Sequence, residues 1–274
     1  MIQDIYPHIL YNSYSLKEEA KDQDVIIFYD AGKILLKIED GHLLFPVYNE
    51  TSIDRNELIY LFKIDEVSFF LSFSKNYPQG FAFYSLSEIR KHDPGPREYV
   101  YGVYTAYHLS NWYETNRYCG KCGNPNQLDE TERAMYCPVC KRKEYPRINP
   151  AVIVGIKNKD KLLITKYRNG FSQSALVAGF TEIGETLEET VQREVEEETG
   201  LKVKNIRYYK SQPWGTAADI LTGFYCEVDG DDMIRMDENE LKYASWVKRK
   251  DIELQDTDYS LTNEMMKRFK EGIE

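Results

Sequence analysis

The sequence has no apolar stretch approaching the roughly 20 residues that a bilayer crossing takes. Its start, MIQDIYPHILYNSY, has no basic cluster ahead of an apolar core. We therefore expect no secretory signal and a cytoplasmic protein without a membrane partner. An excess of basic residues is also missing, since 35 Lys and Arg against 45 Asp and Glu give a net charge of −10. This argues against a general nucleic-acid coat, which needs a basic face, and suits a protein that binds divalent cations.

The chain lacks internal repeats and low-complexity tracts, and its 42% hydrophobic and 14% aromatic residues are ample for packed cores. Its 274 residues exceed one average domain. Residues 24–74 have the pattern of successive strands, with a hairpin signal at Asp40-Gly41. The stretch HDPGPRE interrupts regular structure, and one amphipathic helix follows it. We predict a β-rich N-terminal domain plus connecting helix over residues 1–115, which serves as scaffold and as the surface of a homodimer.

The pattern of the sequence changes at Asn149. Six strand-like segments follow, with a glutamate-rich helix after the third and another helix at the end: PAVIVGIK, KLLITKY, ALVAGF, IRYYKSQPW, ILTGFYCEV and YASWVK, then the helix LTNEMMKRFKEG. Strands around a central helix, with a second helix late in the chain, are typical of an α/β domain with a mixed sheet. We predict such a domain over residues 149–274, within a multi-domain chain that mixes the α+β and α/β classes.

Cysteines are few, and four of the five form two close pairs. Two residues separate the thiols of each pair and 14 separate the pairs, which are Cys119 with Cys122 and Cys137 with Cys140. Four thiolates in tight turns suit one tetrahedral zinc, so we predict a ribbon over residues 116–148 with one structural ion. Four unrelated thiols are the alternative, and a reducing compartment disfavours disulfides. The fifth cysteine, Cys226, lies in the apolar stretch GFYCEV and is predicted to be a buried thiol.

The segment GETLEETVQREVEEETGL contains seven glutamates. Thr186 followed by Glu189 has capping-box spacing, which predicts a helix that begins at Leu187. Gly200 is well placed to end it. Such a density of like charge is either a solvated surface helix or a set of carboxylates that holds a cation.

Helical phase separates these two interpretations. At about 100° per residue, Glu194, Glu197 and Glu198 share a face that borders the apolar stripe, whereas Glu189 and Glu196 point away from it. Like charges on the inner face repel one another and lose hydration. Hard cations such as Mg²⁺ or Mn²⁺ relieve both costs. The phase therefore favours metal binding on the inner face and solvated charges on the outer one.

The wider stretch GFTEIGETLEETVQREVEEETGL resembles the signature of the Nudix hydrolase family at every fixed position. The signature begins with Gly179, and five residues separate it from Glu185. Seven further residues lead to Arg193-Glu194 and the apolar Val195. After one residue of any type come Glu197-Glu198, and after another come Gly200 and the apolar Leu201. The resemblance implies a C-terminal α/β/α sandwich. It also implies hydrolysis of a nucleoside diphosphate linked to another group, with two or more Mg²⁺ or Mn²⁺ ions.

A four-cysteine ribbon directly before YPRINPAVIV, followed by this signature and then by SQPW, resembles the NADH pyrophosphatase branch of that family. The branch cleaves NAD(H) to nicotinamide mononucleotide and AMP, and it can remove NAD caps from RNA. The resemblance covers residues from about 100 to 274 well and the N-terminal part only in layout. It implies NAD(H) or a related dinucleotide as the partner, with NAD-capped RNA as a further substrate.

Carried over position by position, the resemblance implies roles for individual residues. The metal ligands are the carbonyl of Ala178 and the carboxylates of Glu194, Glu197, Glu198 and Glu240. Glu198 is the carboxylate nearest the attacking water, general-base duty stays open between it and Glu197, and Arg193 and Glu185 orient the carboxylates. The substrate contacts are Tyr145 and Phe180, whose rings hold the nicotinamide, with Glu132, Gln212, Pro213, Trp214, Asp219 and Thr262.

One segment departs from the branch. The branch signature continues SQPW with PFP and, two residues on, a serine, whereas this chain has Gly215-Thr216-Ala217-Ala218-Asp219. A stiff aromatic loop is replaced by one that we expect to be small and flexible, and the serine by an acid. The alternatives are therefore a hydrolase of another nucleoside-diphosphate-linked substrate, such as ADP-ribose, a nucleotide sugar or a dinucleoside polyphosphate, and a non-catalytic ligand sensor that binds nucleic acid.

Overall fold

The computed structural model describes residues 1–15, 18–169 and 173–274. These residues form two compact units. The N-terminal unit contains residues 2–147 together with 215–218, and the C-terminal unit contains Met1 and residues 148–214 and 219–274. Within the described ranges, no helix combines the length and the apolar character that a membrane crossing requires.

The N-terminal unit is built on a seven-stranded sheet whose strands run in the order β1-β5-β6-β2-β3-β4, with β7 paired to β3. In chain order the strands are β1 (Leu10–Tyr11), β2 (Val25–Asp30), β3 (Lys33–Glu39), β4 (His42–Leu44), β5 (Ile59–Ile64), β6 (Val67–Ser72) and β7 (Ala82–Tyr84). The strands predicted between residues 24 and 74 are confirmed. The hairpin at Asp40-Gly41 is confirmed as well, because Glu39 of β3 pairs with His42 of β4.

Two helices complete this part of the unit, α1 (Leu86–His92) and α2 (Arg97–Thr115). The single helix predicted after HDPGPRE is α2, and its inner side buries Val100, Val103 and Trp112. Helix α1 was not predicted, although Ser85 and Glu88 form a capping box at its start. Its seven residues are too few to give a clear helical period in the sequence.

The C-terminal unit is a mixed sheet in the order β14-β15-β11-β12-β16, with β13 paired to β11. Its elements are β11 (Asn149–Asn158), β12 (Lys161–Tyr167), β13 (Val177–Phe180), α3 (Leu187–Thr199), β14 (Val203–Trp214), β15 (Asp219–Val228), β16 (Leu241–Lys248) and α4 (Leu261–Lys270). Strands β11 and β15 are parallel, and β11 is antiparallel to β12 and β13. All six predicted strands and both predicted helices are confirmed.

Alternation along the strands divides the core of this unit into two layers. Val152, Val154 and Ile156 of β11 pack with Val191 and Val195 of α3 on one face of the sheet. The other face packs against α4 through a second set, which includes Ile153, Leu162, Ile164, Tyr225, Met265 and Phe269. A helix therefore covers each face, as the predicted α/β/α sandwich requires. Cys226 is buried in the α3 layer, where burial raises the pKa of its thiol to about 12.

The segment after Trp214, expected to be flexible, contains a tightly packed glycine. A Cβ atom at Gly215 would lie 2.1 Å from the backbone oxygen of Tyr104 and 3.4 Å from Cβ of His108, both on α2. Gly215 and these helix residues belong to the same unit. The absence of a side chain at position 215 therefore allows close packing against α2, whereas the sequence alone suggested only a loss of stiffness.

Candidate active site and zinc site

The four paired cysteines converge at one point of the N-terminal unit. Three short strands, β8 (Gln127–Leu128), β9 (Met135–Tyr136) and β10 (Lys143–Glu144), form a sheet beside them. The four sulfur atoms all lie within 4.8 Å of one another. The Sγ atoms of Cys119 and Cys140 are 3.5 Å apart, as are those of Cys122 and Cys137, too far for a disulfide near 2.05 Å.

The surroundings of the first pair, Cys119 and Cys122, favour thiolates. The backbone N–H of Lys121 donates to Sγ of Cys119 at 3.4 Å and lowers the pKa of that thiol. Hydrogen bonds from Asn124, first from its backbone N–H, lower the pKa of Cys122 to about 6. Four converging sulfur ligands with N–H donors fit tetrahedral zinc. The predicted four-cysteine ribbon is confirmed.

Arg193 is the centre of a carboxylate clamp on α3. Its Nε and Nη2 atoms donate to the two oxygens of Glu185 at 2.6 and 2.9 Å, and its Nη1 donates to Glu194 at 2.7 Å and Glu197 at 3.0 Å. The two bonds from Arg193 to Glu185 are the main reason that the pKa of Glu185 is lowered to about 2. Nη2 also donates to the backbone oxygen of Phe180 at 2.9 Å, which ties the helix to β13. The fork geometry of arginine is what such bidentate contacts need.

Glu194 accounts for the glycine at the start of the signature. A Cβ atom at Gly179 would lie 1.9 Å from Cδ of Glu194 and about 2 Å from its carboxylate oxygens, at 2.1 and 2.2 Å. The carboxyl group therefore lies directly against the backbone of β13, and its side chain is only 12% exposed. Burial raises the pKa of Glu194, and the charges of Glu197 and Glu240 add to this while Arg193 opposes it.

Glu198 is the most deeply buried carboxylate of the signature, at 1% exposure. Its Oε1 lies 3.3 Å from the hydroxyl of Tyr167, and within the described residues its Oε2 has no hydrogen-bond partner. Burial raises the pKa of Glu198 to about 8, and the charges of Glu194 and Glu240 contribute. A carboxyl group with this pKa carries a proton at neutral pH unless a cation replaces the proton. The buried, partnerless oxygen of Glu198 therefore suits a hard divalent cation, and Glu194, Glu240 and the carbonyl of Ala178 as further ligands stay a prediction.

Helical phase predicted that the three inner glutamates would be alike, but the structure shows that they differ in exposure to solvent. Glu197 is 59% exposed, in contrast to Glu194 and Glu198. Glu240 is exposed on the segment before β16, and its backbone oxygen accepts a hydrogen bond from Arg168. The part of each of these carboxylates in metal binding stays a prediction.

The ribbon brings two of the predicted substrate contacts together. The hydroxyl of Tyr145 donates to Oε2 of Glu132 at 2.7 Å, which lowers the pKa of Glu132 and raises that of Tyr145. Nζ of Lys143 donates to the same oxygen at 3.1 Å and to Asp129 at 2.8 Å. The ring of Tyr145 is 53% exposed. A tethered but accessible ring is suited to stacking on a flat ligand.

The remaining predicted contacts differ in their access to solvent. In the C-terminal unit Phe180 is 50% exposed, Pro213 is exposed, and Trp214 and Thr262 are partly exposed. Gln212 is fully buried. Its amide nitrogen donates to the backbone oxygen of Tyr259, and its amide oxygen accepts from the N–H of Leu261 at the start of α4, so both polar groups have partners.

Asp219 is buried at the start of β15, and burial raises its pKa to about 6. Its Oδ1 has no hydrogen-bond partner among the described residues. Gln212 thus has a structural task, and Asp219 lies beneath the surface. Their contact with substrate stays a prediction.

Two family models match separate parts of the chain. Residues 147–269 match the NUDIX domain, and residues 114–145 match the NADH pyrophosphatase zinc ribbon domain. The NAD-capped RNA hydrolase NudC of Shigella flexneri is 39% identical over 187 residues, which are 64% of this chain and 72% of that protein. The chain belongs to the Nudix hydrolase family.

Other relatives of this Nudix hydrolase agree. The NAD-capped RNA hydrolase NudC of Escherichia coli (strain K12 / DH10B) is 38% identical over 187 residues, with 64% of this chain and 72% of that protein covered. Among solved structures, a NUDIX hydrolase from Nitrosomonas europaea has a TM-score of 0.50 at 22% identity and covers 57% of this chain and 90% of that one. The structural likeness supports the fold alone.

Sequence reasoning missed Tyr167, the last residue of β12. Its buried hydroxyl lies 3.4 Å from the backbone oxygens of Leu176 and Ala178 and 3.3 Å from Glu198. Burial, and then the charge of Glu198, raises the pKa of Tyr167, so this hydroxyl stays a donor. It therefore contacts two predicted ligands at once. The only signal in the sequence was a tyrosine at the end of an otherwise apolar strand.

We predict that Tyr167→Phe weakens Mn²⁺ binding about tenfold, because outer hydrogen bonds of this kind orient metal ligands. Calorimetric titration of the protein with Mn²⁺ measures the effect without turnover. Tyr208→Phe is the matched control, because Tyr208 is exposed on β14 of the same unit. Equal Mn²⁺ affinity in the two variants would show that Tyr167 has no part in holding Glu198 or Ala178.

Proposed function

We propose that this Nudix hydrolase cleaves the pyrophosphate bond of NAD(H) to nicotinamide mononucleotide and AMP, and that it cleaves the same bond in NAD-capped RNA. The observation that carries the proposal is Glu198, a buried carboxylate with one partnerless oxygen beside two further acidic groups. Among the described residues Glu198 has no cationic partner. A divalent cation would supply the missing positive charge and would in turn bind the phosphates of a substrate. The substrate class is supported by the ribbon and by relatives that are named as NAD-capped RNA hydrolases.

The side chains of the site divide the chemical work between them. The carbonyl of Ala178 and the carboxylates of Glu194, Glu197, Glu198 and Glu240 would hold Mg²⁺ or Mn²⁺. When bound, these ions neutralise phosphate oxygens and lower the pKa of the attacking water. Arg193 keeps Glu194 and Glu197 in fixed orientations through its clamp. We assign acceptance of the water proton to the adjacent pair Glu197 and Glu198.

Selectivity for the nicotinamide end is assigned to Tyr145 and Phe180, whose rings are half exposed. NADH should then be cleaved several-fold faster than ADP-ribose, because ADP-ribose has no nicotinamide to stack and one aromatic contact is worth about 1 kcal/mol. Values of kcat/KM for the two substrates measure this preference. Tyr145→Ala should remove most of it, whereas Tyr145→Phe keeps the ring and should retain it.

Hydrolysis of another nucleoside-diphosphate-linked compound is the second candidate. The observation that favours it is the segment Gly215-Thr216-Ala217-Ala218, which lacks the prolines and the aromatic residue of the NADH pyrophosphatase branch. Equal kcat/KM for NADH and ADP-ribose, unchanged by Tyr145→Ala, would favour this broader hydrolase. Metal-dependent turnover of either compound would exclude the non-catalytic sensor.

The wider setting belongs to the same proposal. We propose Mg²⁺ or Mn²⁺ as the catalytic metal, one structural zinc per chain, a homodimer and action in the cytoplasm. Free thiols in the ribbon suit a reducing compartment.

A further inference from the structure

One end of the C-terminal sheet is basic, although the chain as a whole is acidic. Residues 157–161, KNKDK, include the end of β11, the turn and the first residue of β12, and residues 248–251, KRKD, begin with the last residue of β16. Together they contain six basic and two acidic residues. The strand order places the two segments at the same end of the sheet, because Lys161 begins β12 and pairs with Lys248 at the end of β16.

The pairing of Lys161 with Lys248 is electrostatically unfavourable. Like charges directly opposite each other on neighbouring antiparallel strands destabilise a sheet. Within the described part of the chain, neither lysine forms an ion pair, and the same is true of Lys159 and Lys250. An anion bound across the two strands would remove the repulsion.

A cavity of about 540 Å³ opens beside this pair, large enough for a small ligand or a nucleotide. Its basic lining residues are Lys157, Lys159, Lys204 and Arg249. Arg249 donates to the backbone oxygens of Phe269 and Glu274, and Lys157 lies over the ring of Tyr225.

Four acidic groups at this end have side-chain partners of their own, whereas Asp160 and Asp251 of the two segments form no ion pair with the described residues. Glu227 accepts from Asn205, Glu274 from Arg207, Asp229 from Lys204 and Asp232 from Asn158. Among the described residues no carboxylate forms an ion pair with Lys157, Lys159, Lys161, Lys248 or Lys250, and the six basic residues of the two segments outnumber Asp160 and Asp251.

This basic end is separate from the proposed active site. Lys161 and Tyr167 lie at opposite ends of β12, and six residue steps along a strand span about 20 Å. A free dinucleotide held at Glu198 has no phosphates to place there. A substrate that continues into a longer chain of phosphates has phosphates that can reach this end of the sheet.

We propose that this basic end binds the phosphodiester backbone of single-stranded RNA. The inference rests on the proposed function, because it assigns the RNA body of a capped substrate to this surface. Phosphates supply the anion that Lys161 and Lys248 lack, and the lysines supply sequence-independent affinity.

The test uses the triple variant Lys159→Gln, Lys161→Gln, Lys248→Gln. A control triple variant, Lys21→Gln, Lys33→Gln, Lys91→Gln, removes three exposed lysines from the N-terminal unit. Affinity for an uncapped 20-nucleotide single-stranded RNA is measured by fluorescence anisotropy at several salt concentrations. The first triple variant should bind about tenfold more weakly at low salt. The slope of log affinity against log salt should be less steep by about 2, because three phosphate contacts are lost and each contributes about 0.7 to the slope for a single strand.

Turnover separates this inference from the proposed function. In the first triple variant kcat/KM for NAD-capped RNA should fall about tenfold, whereas kcat/KM for free NADH should stay within twofold of the unmutated protein. If NADH and capped RNA are hydrolysed but both triple variants bind RNA equally, the RNA surface is wrong and the function stands. If nothing is hydrolysed but the first triple variant alone loses RNA affinity, the function is wrong and the surface stands. Binding to anionic vesicles without binding to RNA would overturn the surface.

Discussion

Replacing Glu198 with Gln is expected to lower kcat for NADH by about a hundredfold or more, the scale on which loss of a strong electrostatic contribution acts in an active site. The substitution keeps the size of the side chain and the contact of Oε1 with Tyr167. It removes the negative charge from the one carboxylate of the signature that is wholly buried. Steady-state kinetics at saturating Mg²⁺ and Mn²⁺ measure the loss.

Thermal unfolding distinguishes this loss from misfolding. Burial and two neighbouring acids raise the pKa of Glu198 to about 8, so in metal-free protein near neutral pH this side chain must take up a proton on folding, which lowers stability. The metal-free Gln variant should therefore have a Tm equal to or above that of the unmutated protein. Glu196→Gln, on the exposed face of α3, should change neither kcat nor Tm appreciably. Similar kinetics for the two variants would mean that the helical phase does not select the catalytic carboxylates.

Replacing Cys137 with Ser is expected to remove the zinc and to unfold the ribbon. Cys137 is fully buried, and its sulfur lies 3.5 Å from that of Cys122. A structural zinc contributes its binding free energy to folding, about 10 kcal/mol or more for small ribbons. Loss of one ligand should lower Tm by about 10 °C or more, since 1 kcal/mol shifts Tm by about 2–4 °C in chains of this order of size.

Elemental analysis of protein purified without added zinc checks the stoichiometry. The unmutated chain should carry about one equivalent, and the Ser variant should carry none. Cys226→Ala is the matched control, because that buried thiol lies in the C-terminal core away from the ribbon. It should keep the zinc even if it loses some stability. Folded unmutated protein without zinc would contradict the ribbon as a metal site.

Local signals in the sequence were sufficient for most of the fold. The bounds of α3 followed from the capping box of Thr186 and Glu189 and from Gly200, all of which act within one turn of the helix ends. The strands of the C-terminal unit followed from apolar runs, because strands buried on both faces need them. The four cysteines were recognisable because ligand spacing within a ribbon is itself local.

The rest depended on contacts between distant segments. The difference in exposure between Glu197 and Glu198 does not follow from helical phase, because it is set by what packs beside α3. The contact of Tyr167 with Glu198 joins residues 31 positions apart. The contacts of Lys143 and Tyr145 with Glu132 need the ribbon to close. A side chain at position 215 is excluded by the backbone carbonyl of Tyr104 on α2, more than 100 positions earlier in the chain.

Product analysis after incubation with NADH tests the central claim most directly. With Mg²⁺ or Mn²⁺ present, the protein should release reduced nicotinamide mononucleotide and AMP in equal amounts. A chelator that removes these ions but leaves the ribbon zinc in place should stop the reaction, and added Mn²⁺ should restore it. Bound but intact NADH at every divalent metal concentration, or cleavage at a bond other than the pyrophosphate, would contradict the assignment.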